Sequence, residues 1–366
     1  MYTRFFGKQQ ENKMEINKRK FYRQVFALVI PMALQNLINV GVTAADVLML
    51  GRVSEKVLSG ASLAGQIQFV MTLILFGTTS GATVLTAQYW GKKDTQTIEK
   101  ILGMGMTIGV SCAALFTIVA EIIPEVLLHI YTSDPAVIAE GVKYLRIVAL
   151  SYVLMAATQV YLYIMRSIEQ VVIATVVYSA SLICNVLVNA LLIFGLFGLP
   201  KMGIMGAAIG TLVARILELV IVVIYIIKDK KIELFKQKLL QSDDSLRKDY
   251  MKAAMPIILA QILWGVSVPM QTAILGHLSD DAIAANSVAT TFYQYLKVIV
   301  IAMTSASAVM MGNGVGRGNM KRIRSDARTL ATIDVAVGIV LGIILFALKN
   351  PLLSMYQLSG EALRLA

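Results

Sequence analysis

Long apolar runs alternate with short polar segments along almost the whole chain. A helix that crosses a bilayer needs about 20 mostly apolar residues. Nine stretches qualify, over 25–50, 61–88, 101–127, 143–165, 171–197, 203–227, 252–275, 287–312 and 329–349. The pattern therefore predicts an all-α integral membrane protein with nine spans. The first run follows a basic tail, is too long for a signal-peptide core and lacks a small-residue cleavage pattern, so it counts as a span.

The stretch from Pro31 to Gly91 occurs twice. Shifted by 225 residues without a gap, Pro31 falls on Pro256, Leu50-Gly51 on Leu275-Gly276, Ser54 on Ser279, Thr79-Ser80 on Thr304-Ser305 and Gly91 on Gly316. The register persists to Leu127-Leu128 and Tyr131, which meet Leu352-Leu353 and Tyr356. Prolines, loop glycines and hairpin ends holding one register point to an internal duplication, a feature of transporter folds. Six spans fit within one repeat unit, so the two copies share an orientation and are related by a pseudo-twofold along the membrane normal.

Composition agrees, with 57% hydrophobic and 15% charged residues against the roughly 25% charge of a soluble domain. The net charge of +11 would suggest nucleic acid in a soluble protein. Here the basic residues lie between apolar runs, where anionic headgroups are their partners, and no nucleic-acid binding is expected. Cys112 and Cys184 both sit inside apolar runs and read as small buried hydrophobes, suggesting neither a disulfide framework nor a metal site.

With the amino terminus in the cytoplasm, the inside segments hold 24 of the 33 Lys and Arg residues, and this bias sets the expected orientation in the cell membrane. The organisation that follows is a basic cytoplasmic tail over 1–24, a first lobe over 25–228, a linker over 229–251 and a partial second lobe over 252–366. The linker's charges, Lys230, Lys231, Lys236 and Lys238 before Ser242-Asp243-Asp244-Ser245, fit an amphipathic helix on the headgroups. The second copy carries three spans, and six would need about 87 further residues by the logic of repeated lobes, so the chain is expected to be a fragment.

Ionisable groups inside a bilayer cost several kcal/mol by most estimates and are functional candidates. Asp46 lies in the outer third of the first span, and Gln35, Asn39 and Asp46 fall within an arc of about 60° on that helix. The stripe is expected to face a cavity; alternatively, Asp46 snorkels at a helix end before Gly51. Asn185 and Asn189 stand at i and i+4 on the fifth span, where two amides can coordinate a cation, bridge a water to Asp46, or join helices by hydrogen bonds. Thr211, on the small-residue face that opens the sixth span, could add an oxygen or simply pack. Arg215 and Glu218 are three apart and predict a self-neutralising structural pair. Lys297, mid-way along the eighth span with no carboxylate in helical reach, lines water in the second lobe or pairs with an unseen partner. The 19 methionines suit a pliable apolar binding surface, though most read as core or lipid-facing. His129 and His277 receive no role, and no catalytic nucleophile or phosphate-binding glycine loop is found, so an enzyme is not expected.

Pro31, the segment from Asp46 to Gly51, Gly91-Lys92-Lys93, and the stretch from Asn185 through Pro200-Lys201-Met202-Gly203 to Thr211 together resemble the multidrug and toxic compound extrusion (MATE) family. The resemblance covers the chain from about residue 20 onward. It implies two six-helix lobes in a V and export of cationic or amphipathic small molecules in exchange for protons or sodium ions, without a bound cofactor and as a monomer. By the family pattern Asp46 matches the coupling carboxylate, Asn185 the fifth-span asparagine and Thr211 the sixth-span threonine. Asn189 stands where a second acid often occurs, which departs from a two-carboxylate sodium site. The second-lobe acid of another branch would fall near Trp264, where Gln261 and Gln271 are uncharged. The expected mechanism has Asp46 alternate between protonated and ionised states as the lobes rock. A lipid-linked saccharide or peptidoglycan-precursor flippase, or a non-transporting membrane fragment, are the alternatives.

Overall fold

A computed structural model describes residues 2–228, 243–276, 280–318 and 320–353, and its regular elements are helical. They are α1 (Tyr2–Gly51), α2 (Glu55–Gly91), α3 (Thr95–Ile122), α4 (Pro124–His129), α5 (Pro135–Ala149), α6 (Ser151–Ser167), α7 (Val172–Phe194), α8 (Ile204–Lys228), α9 (Asp244–Gly276), α10 (Asp280–Gly316) and α11 (Met320–Leu353). Eight of these helices are long and apolar enough to cross a membrane. The pair α5 and α6, bent by 48°, passes the same test jointly and brings the number to nine when counted as one span.

Helix boundaries follow local chemistry. The Ser54 hydroxyl accepts from the Val57 amide at 3.2 Å, and the Asp94 carboxylate from the Thr97 amide at 3.1 Å. Both satisfy first-turn donors that a helix leaves open. Pro135 opens α5 behind the cap Asp134, where a missing N–H costs nothing. The duplication appears in the boundaries themselves. α1 and α9 end on Gly51 and Gly276, α2 and α10 run from Glu55 to Gly91 and from Asp280 to Gly316, and α3 and α11 begin at Thr95 and Met320. Each pair keeps the offset of 225 residues.

Three expectations change. The fourth span, predicted as one run over 143–165, is the bent pair α5 and α6, broken at Leu150. Residues 244–251, assigned to the linker, belong to the helix of the seventh span: Leu246 and Tyr250 are buried, and the Tyr250 hydroxyl donates to the Thr78 carbonyl at 2.9 Å. The tail over 1–24 is helical from Tyr2 and continuous with the first span in α1. Residues 229–242 of the linker, His277 and residues 354–366 lie outside the described residues.

α2 is the central helix, packed by α3, α5 and α6 of its own lobe and by α9 and α10 of the other. α11 instead leaves Val335, Ile339, Ile343 and Phe346 exposed at helical spacing, the pattern of a face turned to lipid. The lobes meet tightly at one end. A Cβ on Gly81 would lie 2.6 Å from that of Ala254, and one on Gly91 would strike the Asn313 carbonyl of α10. At this end one Glu169 oxygen accepts from Gln24 at 3.0 Å and from Asn313 at 2.8 Å. Past the Phe69 and Trp264 rings, 6.1 Å apart, the described side chains of α9 are mostly exposed. The lobes thus close at the end that holds Gly91 and Gly316.

Candidate functional site

The first lobe is hollow on the side of α1 that carries Asn39, Thr43 and Asp46. Two adjoining chambers, of about 280 and 480 Å³, share Val42, Thr43, Gln68, Thr72, Thr211 and Arg215 as walls. Asp46 and Tyr144 border the larger; Asn39, Asn185, Ser181 and Glu218 border the smaller.

Asp46 is held by α7. The Asn189 amide nitrogen donates to the Asp46 carboxylate at 2.6 Å and to the Asn185 side-chain oxygen at 3.2 Å. Asn189 and Asn185 are 0% and 1% exposed, so a pair of stacked amides backs a carboxylate that opens onto the cavity. This arrangement depends on Gly210 of α8, since a Cβ there would collide with the Asn189 side-chain oxygen. That oxygen accepts no hydrogen bond among the described residues. The i, i+4 spacing thus does what the sequence allowed, but Asn189, and not Asn185, touches Asp46.

Thr211 and Arg215, one turn apart on α8, continue the wall. Arg215 Nη1 donates to both oxygens of Glu218, at 2.7 and 2.9 Å, and the Ser181 hydroxyl donates to Glu218 at 2.5 Å. The predicted ion pair forms. It is asymmetric: the Arg215 side chain is 18% exposed and that of Glu218 only 2%, and Arg215 borders both chambers whereas Glu218 borders only the smaller.

Two expected members lie elsewhere. Gln35 is 0% exposed and donates to the Val171 carbonyl and the Thr175 hydroxyl, each at 2.9 Å, so it ties α1 to α7 and lines neither chamber. Lys297 is outside the cluster, and its ammonium sits 4.2 Å from the centroid of the Trp264 ring. Sequence reading also passed over Gln68 of α2 and Gln159 of α6, which line the smaller chamber. Uncharged amides inside apolar runs were the available signal. Among the described residues no group of three His, Cys, Asp or Glu side chains could hold a metal ion.

Comparison with known proteins decides the family. The sequence pattern of the MatE family matches residues 31–191 and again 256–366. The chain belongs to the MatE family. The two matched segments begin at the offset of the internal repeat, so each copy carries the pattern on its own. Relatives include the "Probable multidrug resistance protein YoeA" of Bacillus subtilis, 20% identical over 354 residues, covering 96% of this chain and 76% of that protein. Another is the "Probable multidrug resistance protein NorM" of Thermotoga maritima, 21% identical, covering 94% and 74%. Among solved structures, a variant of the Vibrio cholerae MATE transporter VcmN superposes with a TM-score of 0.86 at 20% identity, covering 94% of this chain and 78% of that one. A MOP superfamily transporter from Pyrococcus furiosus, described as having a binding pocket of reverse polarity, gives 0.82 at 15% identity, covering 93% and 75%. The fold is that of the MATE transporters. This chain is accordingly a membrane-embedded transporter.

Proposed function

We propose that this MATE protein exports cationic or amphipathic small molecules in exchange for protons or sodium ions, with Asp46 as the group that binds coupling ion and cargo in turn. The observation that carries this reading is the Asp46 carboxylate, bonded by Asn189 and open to the first-lobe cavity. An ionised carboxylate there attracts a cation in a medium of low dielectric, where an uncompensated charge is costly. A proton or sodium ion satisfies the same group. Because the two occupants compete, binding of one from one side and of the other from the opposite side gives exchange as the lobes rock. The Asn189 amide, itself bonded to Asn185, holds the carboxylate in place. The chain is placed in the plasma membrane with its amino terminus in the cytoplasm, as the Lys and Arg distribution favours. The closed end of the V then faces the cytoplasm and the cavity opens outward.

The test follows efflux of a fluorescent cationic dye from loaded cells while the proton and sodium gradients are collapsed separately. Efflux should stop with one gradient, and Asp46→Asn should abolish it while the protein remains in the membrane. Full efflux in the Asp46→Asn variant would refute the assignment.

A further inference from the structure

The first-lobe cavity has a definite charge balance. Among the described residues, the ionisable groups that line its two chambers are Asp46, Arg215 and Glu218, besides the phenols of Tyr144 and Tyr178. With Asp46 ionised, two carboxylates face one guanidinium and the net charge is one negative. With Asp46 protonated it is zero. Arg215 is the member that decides this. It borders both chambers, shares the larger with Asp46, and has a more exposed side chain than its partner Glu218, which borders the smaller chamber alone. Both hydrogen bonds to Glu218 leave from Nη1, so Nε and Nη2 stand outside the pair. A cation brought to Asp46 therefore meets a fixed positive group along the same wall.

We infer that Arg215 is a specificity-determining residue: it holds the ionised cavity at a single net negative charge, so that the site takes monocationic amphiphiles and rejects dications. The physical reason is that charge inside a water-poor cavity must be matched one for one. A monocation leaves the occupied cavity neutral. A dication leaves one positive charge uncompensated beside Arg215, in surroundings where charge interactions are several times stronger than in water. The inference rests on the export reading above and narrows its substrate class.

Ethidium and propidium share a ring system but carry one and two fixed positive charges, so their relative affinity isolates charge. The measurement is equilibrium binding of each dye to the purified full chain in lipid nanodiscs. Wild type should prefer ethidium. Arg215→Gln, measured at a pH high enough to keep the unpaired Glu218 ionised, leaves the cavity two charges negative and should shift the ethidium-to-propidium ratio toward propidium by about tenfold or more. Glu218→Gln leaves the cavity neutral and should weaken ethidium by a similar factor. The double variant Arg215→Gln with Glu218→Gln restores one net negative charge, and its ratio should return to within about threefold of wild type. A ratio that does not move in Arg215→Gln, or that stays shifted in the double variant, overturns the inference and leaves the export reading standing. Wild type that binds neither dye brings down both.

Discussion

At the repeat offset, Asp46 of the first lobe aligns with Gln271 of the second, Asn39 with Trp264, and Thr72 with Lys297. In the first lobe these three positions border the open chambers. In the second, Lys297 lies over the Trp264 ring at 4.2 Å and the Gln271 amide donates to Asn286 at 3.4 Å. The scaffold is duplicated closely enough that helix ends keep register, yet the chemistry is not. Where one copy offers a carboxylate and small polar groups, the other has an amide, an indole and an ammonium. Duplication thus preserves what the bilayer and helix packing demand, while side chains that face neither lipid nor core are free to diverge.

The sharpest way to break this contrast is to move the acid. An Asp46→Asn variant that also carries Gln271→Asp should remain without dye efflux, because the exposed side chain at 271 meets Asn286 only at 3.4 Å, whereas Asp46 is held at 2.6 Å by the buried amide of Asn189. Efflux restored by the exchange would mean that the two lobes are chemically equivalent. Within the first lobe, Asn189→Leu removes a hydrogen bond to a charged acceptor, worth about 1.5–3 kcal/mol. Efflux at low dye concentration should fall about ten- to a hundredfold, by the same reckoning. Asn185→Leu acts through Asn189 alone and should cost about threefold to tenfold, consistent with an ordinary neutral bond. Equal losses in the two variants would show that Asn185 contacts cargo or ion directly.

Much of the fold was legible because the bilayer imposes it. Apolar runs give the spans, and the 225-residue register reappears in the helix termini. The bend between α5 and α6 was not legible, since it falls at Leu150 with neither proline nor glycine to signal it. Nor was the early start of α9, which depends on Tyr250 reaching Thr78 of another helix. The polar stripe of α1 was expected to face one cavity, but an arc touches more than one neighbour: Asn39 and Asp46 border the cavity, whereas Gln35 meets α7. Arg215 and Glu218 were paired from spacing alone. Which of the two is the more deeply buried is a property of how α8 packs, and no spacing encodes it.

The smallest expected effect concerns Lys297. Its sequence environment left it either lining water or paired with an unseen partner, and it lies over the ring of Trp264 on the neighbouring helix, an attraction worth about 0.5–2 kcal/mol. An ammonium within a span also carries a desolvation cost, so the two contributions offset each other. Lys297→Met, which keeps the length of the side chain and removes the charge, should leave cationic dye efflux within about twofold and melting of the purified protein nearly unchanged, given that balance. Trp264→Leu should lower the melting temperature more than the double variant with Lys297→Met does, since the single change strips the ring from a charge that stays in place. Should Lys297→Met abolish efflux instead, the ammonium belongs to the transport route, and the second lobe contributes chemistry as well as scaffold.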